Sequence, residues 1–142
     1  MWFLYLLVIV ALLLLLAILP GRRRNTAPFD CTLYAHRGLH SNDGNVPENS
    51  LAAFEAACRA GYGIELDVRL SRDGVAMVFH DDTLDRVTGE TGRVDSKTAE
   101  ELSKIKLLGT EDTVPTFREV LSLVDGRVPL LVEIKEDAGD SE

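Results

Sequence analysis

Residues 63–70, Gly-Ile-Glu-Leu-Asp-Val-Arg-Leu, alternate without a break. In an extended chain Ile64, Leu66, Val68 and Leu70 share one side, and Glu65, Asp67 and Arg69 share the other. The period of two predicts a strand with one apolar and one charged face. A second run, Pro-Leu-Leu-Val-Glu-Ile-Lys at 129–135, has the same character. There Leu130, Val132 and Ile134 oppose Leu131, Glu133 and Lys135, so another acid emerges near the strand's C-terminal end. Strands of an α/β barrel behave this way: one face packs on helices, and functional groups leave the other at the C-terminal end. Glu65, Asp67 and Glu133 together offer the hard oxygen ligands that Mg²⁺ or Ca²⁺ takes. The lack of a cysteine among them argues against a dedicated zinc site.

A turn at Ser71–Gly74 sends the chain back through an apolar run, Val75 to Phe79, into His80. With Asp73-Gly74 as a two-residue loop, or Ser71–Gly74 as a four-residue one, His80 faces Asp67 or Glu65. A three-residue loop, Arg72–Gly74, would pair it with Leu66 and send it to the apolar side. The reading adopted is that the hairpin returns His80 to the acids. His36 closes an earlier short strand, Leu33–Arg37. Two imidazoles near neutral pKa can serve as general base and general acid. Arg37 beside His36 is a candidate phosphate ligand. The third histidine, His40, reads as a loop surface residue.

The remaining pattern is β-α-β, a hairpin, then α-α-β, which implies α/β architecture with a parallel sheet. Asn49 is the expected N-cap of a helix over Ser50–Ala60, with Leu51, Phe54 and Cys58 on one face and Gly61 ending it. Thr98 and Glu101 fit a capping box for a helix to Lys104, and Pro115-Thr116 opens another to about Val124. Two cysteines, Cys31 and Cys58, are too few for a disulfide scaffold and read as small buried thiols.

The chain opens with an apolar run from Trp2 to Leu19, ended by Pro20-Gly21 and followed by Arg22, Arg23 and Arg24. A secretory signal would carry its charge before the core and small residues at a cleavage site. The run therefore predicts an uncleaved anchor, residues 1–21, and a basic linker, 22–30. The Arg cluster then predicts a single-pass membrane protein with its domain, 31–142, on the cytoplasmic side. Formal net charge is −8, and outside the Arg triplet 12 basic residues face 23 acidic ones. Such a field excludes nucleic acid as a partner; oligomeric state is not readable.

These residues closely resemble the glycerophosphodiester phosphodiesterase family. The matching stretches are AHRG at 35–38, PENSLAAF at 47–54, IELDV at 64–68, DGVAMVFHDDTLDR at 73–86 and VEIK at 132–135, in the family's order. The resemblance implies a TIM (β/α)8 barrel and hydrolysis of a small-molecule glycerophosphodiester to glycerol 3-phosphate and an alcohol. It implies His36 and His80 as the acid/base pair, and Glu65, Asp67 and Glu133 as ligands of a divalent metal. Arg37 and Lys135 would contact phosphate, while Glu48 and Asn49 read as loop and helix-start residues.

A barrel of this kind needs about 200–250 residues, and 112 follow Asp30. The sequence therefore reads as an incomplete N-terminal half-barrel behind a transmembrane helix. Two other readings use the same residues. One is phospholipase-like cleavage of intact lipid at the membrane; the other is an inactive, truncated membrane protein.

Overall fold

A computed structural model describes residues 2–18, 33–41 and 45–135. The chain divides into two units, Met1–Asp30 and Cys31–Glu142. In the first, α1 runs over Trp2–Ile18, 17 residues. At 1.5 Å per residue it is about 25 Å long, short of the roughly 30 Å of a bilayer's hydrocarbon core. Among the described residues no helix is long and apolar enough to cross a membrane. This overturns the membrane-spanning segment, the single-pass placement with a cytoplasmic domain, and the membrane as a partner. Pro20-Gly21, the linker 22–30 with its Arg triplet, Cys31 and the acidic tail 136–142 lie outside the described residues.

The second unit is built on a four-stranded sheet. Its strands are β1 (Tyr34–His36), β2 (Gly63–Leu70), β3 (Ala76–Val78) and β4 (Leu130–Ile134). β2 is central and pairs in parallel with β1 and β4, and antiparallel with β3. Backbone bonds show which edge each partner takes. Gly63 N–H donates to Leu33 and Phe79 N–H donates to the Asp67 carbonyl, so β1 and β3 follow one another along one edge. Ile64 N–H donates to Pro129 and Lys135 N–H to the Val68 carbonyl, which places β4 on the other.

The alternation of β2 sorts the sheet into two faces, as its sequence predicts. Ile64, Leu66 and Val68 are buried against α2 (Leu51–Ala60) and α4 (Phe117–Val124), through Phe54, Ala57, Val120 and Val124. Leu51 and Cys58 pack at the edge of this core, Cys58 half-buried rather than fully so. Burial of this kind contributes about 1.5–3 kcal/mol for each large apolar side chain. Between β3 and α4 the chain makes a separate excursion around Met77, Phe79, Leu84, Val94, Leu102 and Leu107. It contains α3 (Ala99–Leu102), started by the expected Thr98–Glu101 capping box. Thr116 and Glu119 form a second box at the start of α4.

Two local expectations are corrected. α2 is capped by Ser50, whose side chain accepts from Ala53 N–H; Asn49 is turned away in a left-handed conformation, φ 55°. The hairpin takes the three-residue loop: Val68 pairs with Val78, Arg69 with Met77 and Leu70 with Ala76. Gly74, φ 76°, supplies the left-handed residue that ends such loops. In this register a continued β3 would carry His80 to the Leu66 side, but the strand ends at Val78.

Gly38 lies where β1 meets α2. Its φ is 81°, and a Cβ there would lie 2.8 Å from Ala53 Cβ and 3.0 Å from Phe54 Cδ1. Left-handed backbone costs a non-glycine residue about 1–2 kcal/mol, and overpacking adds about 1–3. Gly38→Ala is therefore expected to lose roughly 2–5 kcal/mol of stability, read as a lower urea midpoint with an unchanged slope.

Candidate active site

Parallel pairing sets neighbouring strands so that partnered residues share a face. His36 is the partner of Glu65, and Glu133 the partner of Asp67. The four side chains therefore leave the sheet on the side opposite the helices. Ligand oxygens of Glu65, Asp67 and Glu133 all lie within 4.8 Å of one another. Opposite oxygens around a calcium ion are about 4.6–5.2 Å apart, and around magnesium about 4.0–4.2 Å, from their usual bond lengths. Three carboxylates at this spacing fit a hard divalent cation.

The cluster already attracts positive charge. Lys135 Nζ lies 2.6 Å from Glu133 Oε1 and 3.1 Å from Asp67 Oδ1. The hydrogen bond to Glu133 raises the Lys135 pKa; partial burial opposes this and Asp67 adds to it. Asp67, 1% exposed, also receives a hydrogen bond of 3.0 Å from Asn49 Nδ2. Arg37 Nε lies 3.5 Å from the same oxygen, Oδ2, an ion-pair contact rather than a hydrogen bond.

Backbone strain places two of these partners. Arg37, φ 56°, and Asn49, φ 55°, are both left-handed and are tied by a 2.9 Å bond from Asn49 N–H to the Arg37 carbonyl. The turn at Arg37 points its backbone N–H at Glu65 Oε2, 3.0 Å away. Strained residues of this kind persist where surrounding contacts over-determine them. Here those contacts are the carboxylates themselves.

His36 stands at the rim, with Nε2 3.9 Å from Glu65 Oε2 and its side chain 68% exposed. His80 is not brought beside Glu65 or Asp67 by strand pairing. Its carbonyl accepts from Arg69 Nε at 2.9 Å, and its Nδ1 is 2.5 Å from Asp81 Oδ1. His40 is half-buried in the loop after β1, away from these contacts.

Glu48 and Arg86 join the two halves; the sequence reading gave Glu48 only a loop role and Arg86 none. Arg86 donates to both oxygens of Asp81 and to both oxygens of Glu48. Glu48 Oε1 also accepts from Arg37 NH1 at 2.9 Å. A chain of hydrogen bonds thus runs from His80 through Asp81, Arg86 and Glu48 to Arg37, and an ion-pair contact of 3.5 Å continues it to Asp67. Burial raises the Glu48 pKa, but Arg86 and Arg37 outweigh it and leave the group below its ordinary value. Asp81 is likewise lowered, burial being outweighed by Arg86 and His80. The signal in the sequence was the pair of carboxylates beside known motif residues, Glu48 before Asn49 and Asp81 after His80, together with a lone Arg86 five residues on.

Comparison with known proteins gives a consistent picture. Residues 36–141 match the glycerophosphoryl diester phosphodiesterase family. The glycerophosphodiester phosphodiesterase of Caldanaerobacter subterraneus subsp. tengcongensis is 42% identical over 114 residues, covering 74% of this chain and 44% of that protein. Its counterpart in Bacillus altitudinis is 41% identical over 110 residues, with 72% and 44% covered. Among solved structures, an Oleispira antarctica phosphodiesterase in complex with the product sn-glycerol-3-phosphate has a TM-score of 0.69 at 32% identity, over 78% of this chain and 47% of that one. The Agrobacterium tumefaciens glycerophosphodiester phosphodiesterase gives 0.66 at 36% identity, with 74% and 47% covered. The chain spans about half the length of the curated relatives it matches.

A depressed carboxylate stabilises the fold above the ordinary carboxylate range, and this contribution is lost as pH falls through its folded value. The difference in urea midpoint between wild type and Glu48→Gln should therefore be largest at neutral pH and close as pH falls through and below the ordinary carboxylate range. A constant difference across this range would show that Glu48 is not held ionised by Arg37 and Arg86.

Proposed function

The chain belongs to the glycerophosphoryl diester phosphodiesterase family, and from that premise we propose that it serves the metal-dependent hydrolysis of glycerophosphodiesters to glycerol 3-phosphate and an alcohol. The observation that carries this reading is the meeting of Glu65, Asp67 and Glu133 within 4.8 Å on one face of a parallel sheet. The family's fold is a TIM barrel. The three parallel strands and the helices on their far face correspond to part of one. In a barrel this acid face looks inward, where side chains from several strand ends converge on a substrate.

Glu65, Asp67 and Glu133 would hold a Mg²⁺ or Ca²⁺ ion, which when bound supplies Lewis-acid stabilisation of charge on a phosphate oxygen. The chain's own groups supply the rest. Arg37 and Lys135 set two cations beside the carboxylates and are assigned to the anionic phosphate. His36 and His80 are assigned to proton transfer: one takes a proton from water or from the neighbouring glycerol hydroxyl, the other protonates the leaving alcohol. His36 is exposed at the rim, and His80 presents its Nε2 because Asp81 holds its Nδ1. Lipid cleavage at a membrane rested on the anchor and loses its support with it.

The test is release of glycerol 3-phosphate from glycerophosphocholine, paired with calorimetric titration of Mg²⁺ and Ca²⁺. His36→Ala and His80→Ala should each lower turnover about 10²–10⁴-fold with metal affinity unchanged. Asp67→Asn should abolish both turnover and metal binding. Undiminished turnover in excess chelator would overturn the metal assignment, and undiminished turnover in either His variant would overturn that histidine's role.

A further inference from the structure

The proton-transfer role given to His80 leaves open what holds the ring. We infer that Asp81, Arg86 and Glu48 form a positioning relay, in which Asp81 fixes the His80 ring with its Nε2 free for proton transfer and Arg86 locks Asp81 to the Glu48–Arg37 arm of the carboxylate site. The inference deepens the proposed function and rests on its assignment of His80 as an acid/base group.

The geometry runs in one direction. An ionised carboxylate has no donor, so the 2.5 Å contact between His80 Nδ1 and Asp81 Oδ1 requires the proton on Nδ1. The neutral ring then has its lone pair on Nε2. A side chain with a single hydrogen bond to its neighbour in sequence is weakly oriented unless that neighbour is itself fixed. Arg86 does this: Nε lies 2.6 Å from Asp81 Oδ2 and NH2 3.2 Å from Oδ1. The same guanidinium reaches Glu48, NH2 to Oε1 at 2.6 Å and NH1 to Oε2 at 3.1 Å. Two carboxylates thus occupy two edges of one planar fork, a geometry that lysine cannot copy.

Glu48 is the shared anchor. Its side chain is 15% exposed and its Oε1 accepts from both Arg86 and Arg37. Arg37 belongs to β1's end and reaches Asp67. The ring of His80, one residue past the last β3–β2 backbone bond at Phe79, is therefore oriented relative to β1 and β2 through these side chains. Asp81 and Glu48 are both held below their ordinary pKa values, which keeps them acceptors at neutral pH.

The experiment uses the full chain with Arg86→Ala, Arg86→Lys, Asp81→Ala and Glu48→Gln. Nitrogen-15 NMR of the His80 ring reports its tautomer whether or not the protein turns over substrate. In wild type the neutral ring should carry its proton on Nδ1. In Asp81→Ala and Arg86→Ala it should revert towards the Nε2–H form favoured by free histidine. Release of glycerol 3-phosphate should show kcat lowered about 10–100-fold in both variants, with KM changed less than about threefold, as for residues that orient a reacting group. Arg86→Lys should recover only part of the loss, and Glu48→Gln should lower kcat less than Asp81→Ala. Arg86 is half exposed, so its variants test the relay even if Asp81→Ala fails to fold. An Nε2–H ring in wild type, or wild-type kcat in Arg86→Ala, would overturn the relay. A wild-type protein with an Nδ1–H ring and no turnover would count against the hydrolytic reading while leaving the relay standing.

Discussion

The arrangement of this site depends on one buried anion. Asp67 is almost wholly removed from solvent, on a central strand with apolar neighbours at Leu66 and Val68. An uncompensated buried carboxylate is expensive, and removing one partner of a buried ion pair typically costs about 3–5 kcal/mol. Its compensation comes from three places distant in sequence: Arg37 after β1, Asn49 before α2, and Lys135 after β4. Each lies where its element begins or ends, so satisfying Asp67 also fixes how β1, α2 and β4 meet β2. The left-handed backbone at Arg37 and Asn49 accompanies these contacts, at the two residues that reach Asp67 from the β1–α2 connection.

The sheet solves a second problem in the same step. A strand with charges on one face cannot be buried symmetrically. Helices α2 and α4 cover only the face of Ile64, Leu66 and Val68, where Phe54 and Val120 fill the space. The opposite face is left to polar groups, and parallel register brings Glu133 level with Asp67 and His36 level with Glu65. The carboxylate cluster is thus a consequence of strand pairing, with no loop needed to assemble it.

This division explains what was legible in the sequence. The acids of β2 and β4 were readable because strand periodicity is strict, and a two-faced strand declares which side is which. The cap at Thr98 was readable because both halves of its box lie within four residues; at Thr116 the helix start was read, but not the box that Glu119 completes. The hairpin was not, because its register turns on one residue in the loop, and a left-handed Gly74 suits more than one loop length. His80 was linked to the acids by a strand-facing argument that fails; side-chain contacts beyond the end of β3 govern its ring. Asn49 was misread as a cap because its type suits either role, and the choice was made by Asp67, eighteen residues away. The apolar N-terminal run was read from 18 uncharged residues, at the lower edge of a membrane span, and the helix over Trp2–Ile18 falls short of that edge.

The charges of the network can be counted along its own contacts. From Asp81 through Arg86, Glu48, Arg37, Asp67 and Lys135 to Glu133, with Glu65 on the Arg37 backbone, five carboxylates meet three cations. With the histidines neutral the formal sum is −2. In water such an excess is screened, but around a buried Asp67 the effective dielectric is low and the like charges of Glu65, Asp67 and Glu133 repel. Lys135 offsets part of this by sitting between Asp67 and Glu133, and the −2 that remains already includes its charge. A divalent cation carries the missing charge in a single centre and matches the oxygen-only donor set. The residual charge of the network and the chemistry of its ligands therefore point to the same class of ion.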